Sequence, residues 1–187
     1  MSTATRLALS AALAALVAGC ADTVMLQPTT VGSYRPTMLN YAASQGAMKT
    51  EIIGNPFDGP KEDLERVVTD GLTRSHFGPS LAFATSVSPD NRSPYRTVLV
   101  FNPTLDHTST NICGAPDRAT QARGDRIRVM AAFCSADRAV TYTRGSVAGA
   151  TGPTDARFRA LIRQLGLGLF PPRDPTRGNG RESIIID

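Results

Sequence analysis

Residues 126–147 read RIRVMAAFCSADRAVTYTRGSV, and this stretch decides the fold. From Arg126 to Cys134, Ile127, Val129, Ala131 and Phe133 recur at every second position, with Arg126 and Arg128 between them. A period of two belongs to a strand with one buried face, because successive side chains point to opposite sides of a sheet. Ser135, Ala136, Asp137 and Arg138 are polar or small and few enough for a hairpin loop. Residues 139–147 then return as a second strand, with Val140 and Tyr142 expected on one face. Such a hairpin buries its apolar side only against another layer.

Working outward, residues 97–101 form a continuous apolar run through Val98, Leu99, Val100 and Phe101. That pattern predicts a central strand covered on both sides. Residues 81–87 alternate through Leu81, Phe83, Thr85 and Val87, and residues 48–53 form a first strand stopped by Gly54, Asn55 and Pro56. Two helices are predicted. Asp58, Gly59 and Pro60 open the first, with Asp58 as a capping oxygen and Pro60 in the first turn. Leu64, Val67, Val68 and Leu72 lie on one face of it, and Glu62, Asp63 and Glu65 sit near its positive end. Gly71 weakens it, and it is expected to end near Ser75. Gly152 to Asp155 open the second, which buries Phe158, Leu161, Ile162 and Leu165. Gly166 and Gly168 are expected to loosen its end before Pro171 and Pro172. The order predicts an α+β domain: an antiparallel sheet of about five strands with two helices packed on one face.

The chain has 187 residues, with 41% apolar and 19% charged, values that exclude a disordered chain or a coiled-coil rod. Only one stretch, near the start, is apolar for longer than a strand, which excludes a polytopic membrane protein. That stretch follows Arg6 and runs from Leu7 to Val17 before Ala18, Gly19 and Cys20. A charged opening, a short apolar core and small residues before a break make a secretory signal.

Val17-Ala18-Gly19-Cys20 resembles the lipobox of bacterial lipoproteins, with Val17 where Leu is commoner. The resemblance covers the signal region alone. It implies a diacylglycerol on the Cys20 sulfur, cleavage just before Cys20, and acylation of the new amino end. Ala21, rather than Asp, follows the cysteine, which by the sorting rule of some Gram-negative lipoproteins implies the outer membrane, facing the periplasm. Several acyl chains together hold a protein to a bilayer, where one binds marginally. The expected organisation is a signal peptide at 1–19, a lipidated cysteine and flexible tether at 20–46, one α+β domain at 47–172, and a mostly disordered tail at 173–187. Part of the tether, residues 38–41, has the apolar character to pack on the core instead. The tail closes on Ile184, Ile185 and Ile186, an apolar end that suits an edge strand, a partner or a frayed terminus.

Export makes a disulfide the natural fate of the remaining pair, Cys113 and Cys134. Two buried free thiols are the other reading. A metal site is not expected, because the two cysteines with His76 and His107 lack the paired spacings of structural zinc. No phosphate-binding loop, dinucleotide fingerprint or other cofactor motif occurs. Asp106 and Ser75 precede the two histidines directly, and neighbours in an extended chain point apart rather than pairing. Gly145-Ser146-Val147-Ala148-Gly149 lacks the residue that a nucleophile elbow places between Gly and Ser.

Charge is uneven. Residues 21–112 carry 7 basic and 9 acidic side chains, whereas residues 113–187 carry 12 and 7, every basic one Arg. Arg forks onto phosphate and carboxylate, so Arg126 and Arg128 are candidate contacts to a partner or an envelope polyanion such as lipid headgroups. The plainer reading is a solvated face in an Arg-rich chain. Nucleic acid is not an expected partner, given the export signal and the absence of interleaved aromatics. The expectation is a membrane-anchored envelope lipoprotein with a non-enzymatic binding or structural role towards an envelope protein or anionic polymer. The alternative is an exported enzyme, such as a hydrolase of envelope material.

Overall fold

The hairpin at residues 126–147 is the centre of a mixed sheet. The structure, a computed structural model, describes residues 23–25, 29–30, 34–117, 120–121 and 124–172. The expected signal peptide, Cys20 and the 173–187 tail with its terminal isoleucines lie outside the described residues.

In chain order the elements are β1 (Thr23–Met25), β2 (Thr29–Thr30), α1 (Thr37–Ser44), β3 (Met48–Ile53), α2 (Lys61–Thr73), β4 (Phe83–Ala84), β5 (Tyr95–Phe101), β6 (Arg126–Ser135), β7 (Arg138–Ala148) and α3 (Ala156–Leu169). The strands form one seven-stranded sheet ordered β1-β7-β6-β5-β3-β4, with β2 also on β7. The α+β class stands, but the sheet is not purely antiparallel. Strand β3 pairs parallel with both β4 and β5, while β5, β6 and β7 pair antiparallel. The helix α2 returns the chain so that β4 runs in the same direction as β3, and residues 85–94 then lead back across to start β5 in that direction too. The strand expected over residues 81–87 shrinks to Phe83–Ala84, because the chain turns immediately after it. There the Ser88 carbonyl accepts from Asn91 N at 3.0 Å and its hydroxyl from Asp90 N at 3.3 Å.

The stretch expected as tether enters the fold in part. Strands β1 and β2 lie along β7, and α1 places Leu39 and Ala42 in the main core. A third helix therefore joins the two expected ones. The apolar faces of α2 and α3 are those read from the 3.6-residue period: Leu64, Val67, Val68 and Leu72, and Phe158, Leu161, Ile162 and Leu165. They meet Ile127, Val129, Ala131 and Phe133 of β6 in one cluster. Burying each of these Val, Leu, Ile or Phe side chains contributes about 1.5–3 kcal/mol.

The start of α2 differs from expectation. Pro60 caps α2 without a side-chain bond, so Asp58 is not its capping oxygen. At the other helix, α3 runs through Gly166 and Gly168 to Leu169 and stops before Pro171 and Pro172, as expected. The role of Gly166 is close approach: a Cβ there would stand 2.5 Å from the Ser75 carbonyl oxygen. Likewise, a Cβ on Gly71 would stand 2.7 Å from Ile162 Cγ2, so the glycine that weakens α2 locally lets it cross α3 closely. The Leu169 carbonyl, left open at the end of α3, accepts from Thr141 Oγ1 at 2.7 Å.

The second face of the sheet is covered as well. Ile112 and Cys113, from the long connection between β5 and β6, pack on Val98, Val100, Met130, Ala132 and Cys134. Cys113 and Cys134 form the disulfide, with Cα atoms 5.8 Å apart. The connection is long because it roofs half a sheet face. That is also why β5 reads as apolar on both sides.

Candidate functional site

The roof covers only the hairpin end of this face. At the opposite end, a cavity of about 360 Å³ opens, walled by Leu105, His107, Arg128, Met130, Arg144 and Ser146 among others. Strand β5 ends at Asn102, whose φ of 47° turns the chain out of the sheet, a conformation Asn tolerates better than most residues. Its backbone N donates to the Arg128 carbonyl at 2.7 Å, and its Oδ1 accepts from Arg128 N at 3.0 Å. That two-point clamp fixes Arg128. The loop returns where Gln121 N donates to the Asn102 carbonyl at 2.7 Å.

The cavity is electropositive. The Arg128 and Arg144 side chains are exposed, and neither guanidinium has an ion pair or hydrogen bond among the described residues. Arg126 stands at the edge, donating from Nη1 to Ser146 Oγ at 3.2 Å. His107 is only 2% exposed and lies 3.1 Å, Nδ1 to Oγ1, from Thr104. Its buried Nε2 has no partner among the described residues. When Thr104 donates to Nδ1, Nε2 carries the ring proton and is a donor without an acceptor. A buried donor in that state costs free energy until an acceptor arrives. Leu105, on the same rim, is 95% exposed.

Of the residues singled out in the sequence, Arg128 enters the cavity and Arg126 borders it, while Cys113 and Cys134 lie under the roof at the other end. His76 is elsewhere: its Nδ1 and Nε2 face the carbonyls of Leu72 and Pro79 at 3.1 and 2.9 Å. Its ring sits edge-on to Phe83 and Phe170. Ser146 is an ordinary strand residue rather than part of an elbow. No group of three or more metal-ligating side chains occurs among the described residues.

Arg144 was not singled out, and the reason is geometric. Ser135 pairs with Arg138, and an uninterrupted ladder from there would set Arg144 opposite Val129, on the helix face. The register slips between Phe133 and Cys134, so that Thr141 and Ala139 are their partners and Val140 is the extra residue. Beyond this bulge Arg144 pairs with Met130 and points with Arg128. The same slip separates Val140, in the main core, from Tyr142, which packs beneath the roof.

Two other charged clusters differ in kind. Between α2 and α3, Arg66, Arg74, Arg159 and Arg163 line a groove of about 240 Å³. Arg66 is paired there with Asp63 at 2.7 Å, and Arg159 is bonded to the Thr154 carbonyl. Under the roof, Arg96 is committed to Glu51, the Ala136 carbonyl and the Cys113 carbonyl.

The site defines a mixed α+β domain with an arginine-walled cavity at one sheet end. No protein-family model matches the chain, and no curated protein matches it. Among solved structures, it is similar to the PelC dodecamer from Paraburkholderia phytofirmans at 11% identity and a TM-score of 0.44, covering 78% of this chain and 95% of that one. A point variant of that dodecamer is similar at 12% identity and a TM-score of 0.42, over the same shares. Similarity at this level assigns no partner or activity.

Proposed function

We propose that this chain is a cell-envelope lipoprotein, anchored through acylated Cys20 to the outer membrane on its periplasmic side. It works by binding an acidic envelope component, without a cofactor. The anchor rests on Val17-Ala18-Gly19-Cys20. The observation that carries the binding role is the cavity, where the exposed guanidiniums of Arg128 and Arg144 stand beside a buried, unanswered His107 Nε2. Guanidinium forks match phosphate and carboxylate, and a preset cavity lowers the ordering cost of binding them. Catalysis has less support, since His76 turns both ring nitrogens to backbone carbonyls and the His107 ring bonds only Thr104 among the described residues.

Intact-mass measurement on protein purified from the envelope tests the anchor, with cleavage before Cys20 and a diacylglyceryl adduct expected. An immobilised polyanion tests the cavity. Wild-type protein should elute at higher salt than an Arg128→Glu, Arg144→Glu variant. Equal elution would make these arginines ordinary solvated surface.

A further inference from the structure

The cavity lies beside the point where the chain enters the sheet. Thr23, Val24 and Met25 pair with Val147, Ser146 and Gly145, so β1 runs along the strand segment that forms the cavity wall. Cys20 precedes Thr23 by three residues, and at 3.8 Å per Cα step its Cα lies within about 11 Å of Thr23. From Val147, opposite Thr23, to Arg144 is three further strand steps, about 10 Å. Crossing from Thr23 to Val147 adds about 5 Å, so the whole path from anchor to cavity is about 26 Å at most. An anchor so placed does not let the domain stand away from the bilayer. It keeps the Thr23 end of the sheet within about 11 Å of Cys20, next to the headgroup layer.

What this end presents suits that layer. Leu105 is 95% exposed on the rim, an apolar side chain with no protein layer over it. Arg128 and Arg144 extend beside it without counter-ions among the described residues. Asp106, beside Leu105 and His107 in sequence, and Asp125, three residues before Arg128, form no ion pair with them among the described residues. An apolar tip beside arginines is the pattern of an interfacial contact, with apolar area entering the acyl boundary and cations meeting phosphate. With Thr104 donating to Nδ1, the buried His107 Nε2 adds a donor to the cavity wall.

We propose that the cavity of His107, Arg128 and Arg144 seats the phosphate of an anionic lipid headgroup in the leaflet that holds Cys20, with Leu105 dipping into the acyl boundary. This deepens the binding role proposed above and rests on its anchor. The lipid stays intact, because the contact forms hydrogen bonds and ion pairs and breaks no covalent bond.

The test uses the acylated full-length protein reconstituted in vesicles of phosphatidylcholine, alone or doped with phosphatidylglycerol. An environment-sensitive fluorophore is placed at Leu105→Cys, and in a separate preparation at Asp90→Cys, an exposed turn near the start of β5. Emission from position 105 should shift to the blue when phosphatidylglycerol is present, while position 90 stays aqueous. Arg128→Gln with Arg144→Gln should raise the phosphatidylglycerol requirement about 30-fold, from roughly 1 kcal/mol per cation near an anionic surface. Both arginines are exposed and without a side-chain bond among the described residues, so this variant should keep its circular dichroism and its disulfide.

No shift at position 105, in protein that floats with vesicles and has the acylated mass, overturns this inference and leaves the anchor standing. A bare Cys20 sulfur overturns both. A blue shift at both positions overturns the orientation. A response to added inorganic phosphate but not to phosphatidylglycerol assigns the cavity to a soluble anion instead.

Discussion

At the scale of single residues, two side chains carry pH-dependent stability of opposite sign. Tyr34 is fully buried against Phe133, its hydroxyl has no partner among the described residues, and burial pushes its pKa up to about 12. The folded state therefore favours the neutral phenol. Its contribution is complete below the ordinary tyrosine pKa of about 10 and is lost as pH rises through 12. Tyr34→Phe removes a buried hydroxyl without opening a cavity. The variant should gain about 1 kcal/mol near neutrality and lose less stability at alkaline pH, read from urea midpoints. A weaker variant at neutral pH would show that the hydroxyl is bonded after all. Asp155 caps α3: its carboxylate accepts from the Arg157 side chain and backbone N, which lowers its pKa to about 2. This contribution is present above the ordinary carboxylate pKa of about 4 and is lost as pH falls through 2. Asp155→Ala should cost about 1 kcal/mol, whereas Asp155→Asn should keep most of the cap and lose its acid sensitivity. Equal losses in the two thermal melts would assign the effect to charge rather than capping.

At the scale of elements, what was legible in the sequence is what local period encodes. Both apolar helix faces, the two-sided burial of β5 and the Ile127–Phe133 face of β6 follow from spacing alone. The parallel pairing of β3 with β5 does not, because it depends on where α2 and the connection 85–94 return the chain. The face of Arg144 was hidden by one bulged residue, Val140, and α1 by a stretch whose helix is only eight residues long. Half of the candidate site was legible, as Arg126 and Arg128. His107 and Asn102 were not, since their roles depend on a loop that returns to cover a sheet face. That loop gives the element-scale prediction. Reducing the disulfide, or replacing Cys113 and Cys134 with Ser, should cost about 3 kcal/mol in the chain-entropy picture. Amide exchange should then rise first around Ile112 and in the second core cluster, while the buried faces of α2 and α3 stay protected. Uniform loss of protection would mean that the roof and main core unfold as one unit.

At the scale of the whole molecule, the decisive length is the short path from Cys20 to β1. A free chain of about 25 residues would have a root-mean-square reach of about 25–30 Å and would leave the domain's orientation to chance. With β1 and β2 docked along β7, that freedom shrinks to the three residues before Thr23. In the proposed anchored state the acyl chains join the Arg126 edge and the Arg128–Arg144 cavity at one end of the sheet, while the disulfide-pinned roof and the β6–β7 hairpin occupy the other. Such an anchor raises the effective concentration of headgroups at the cavity, and that concentration falls roughly as the −3/2 power of leash length once the leash exceeds its span. Gly/Ser segments of increasing length inserted between Asp22 and Thr23 therefore separate anchoring from orientation. Every insertion should still fold and float with vesicles, because the acyl chains and the core are untouched. The phosphatidylglycerol content needed for the half-maximal shift at position 105 should climb with each added segment. A requirement that stays flat would mean that the cavity finds its lipid without help from the short leash, and the coupling between anchor and cavity would fall.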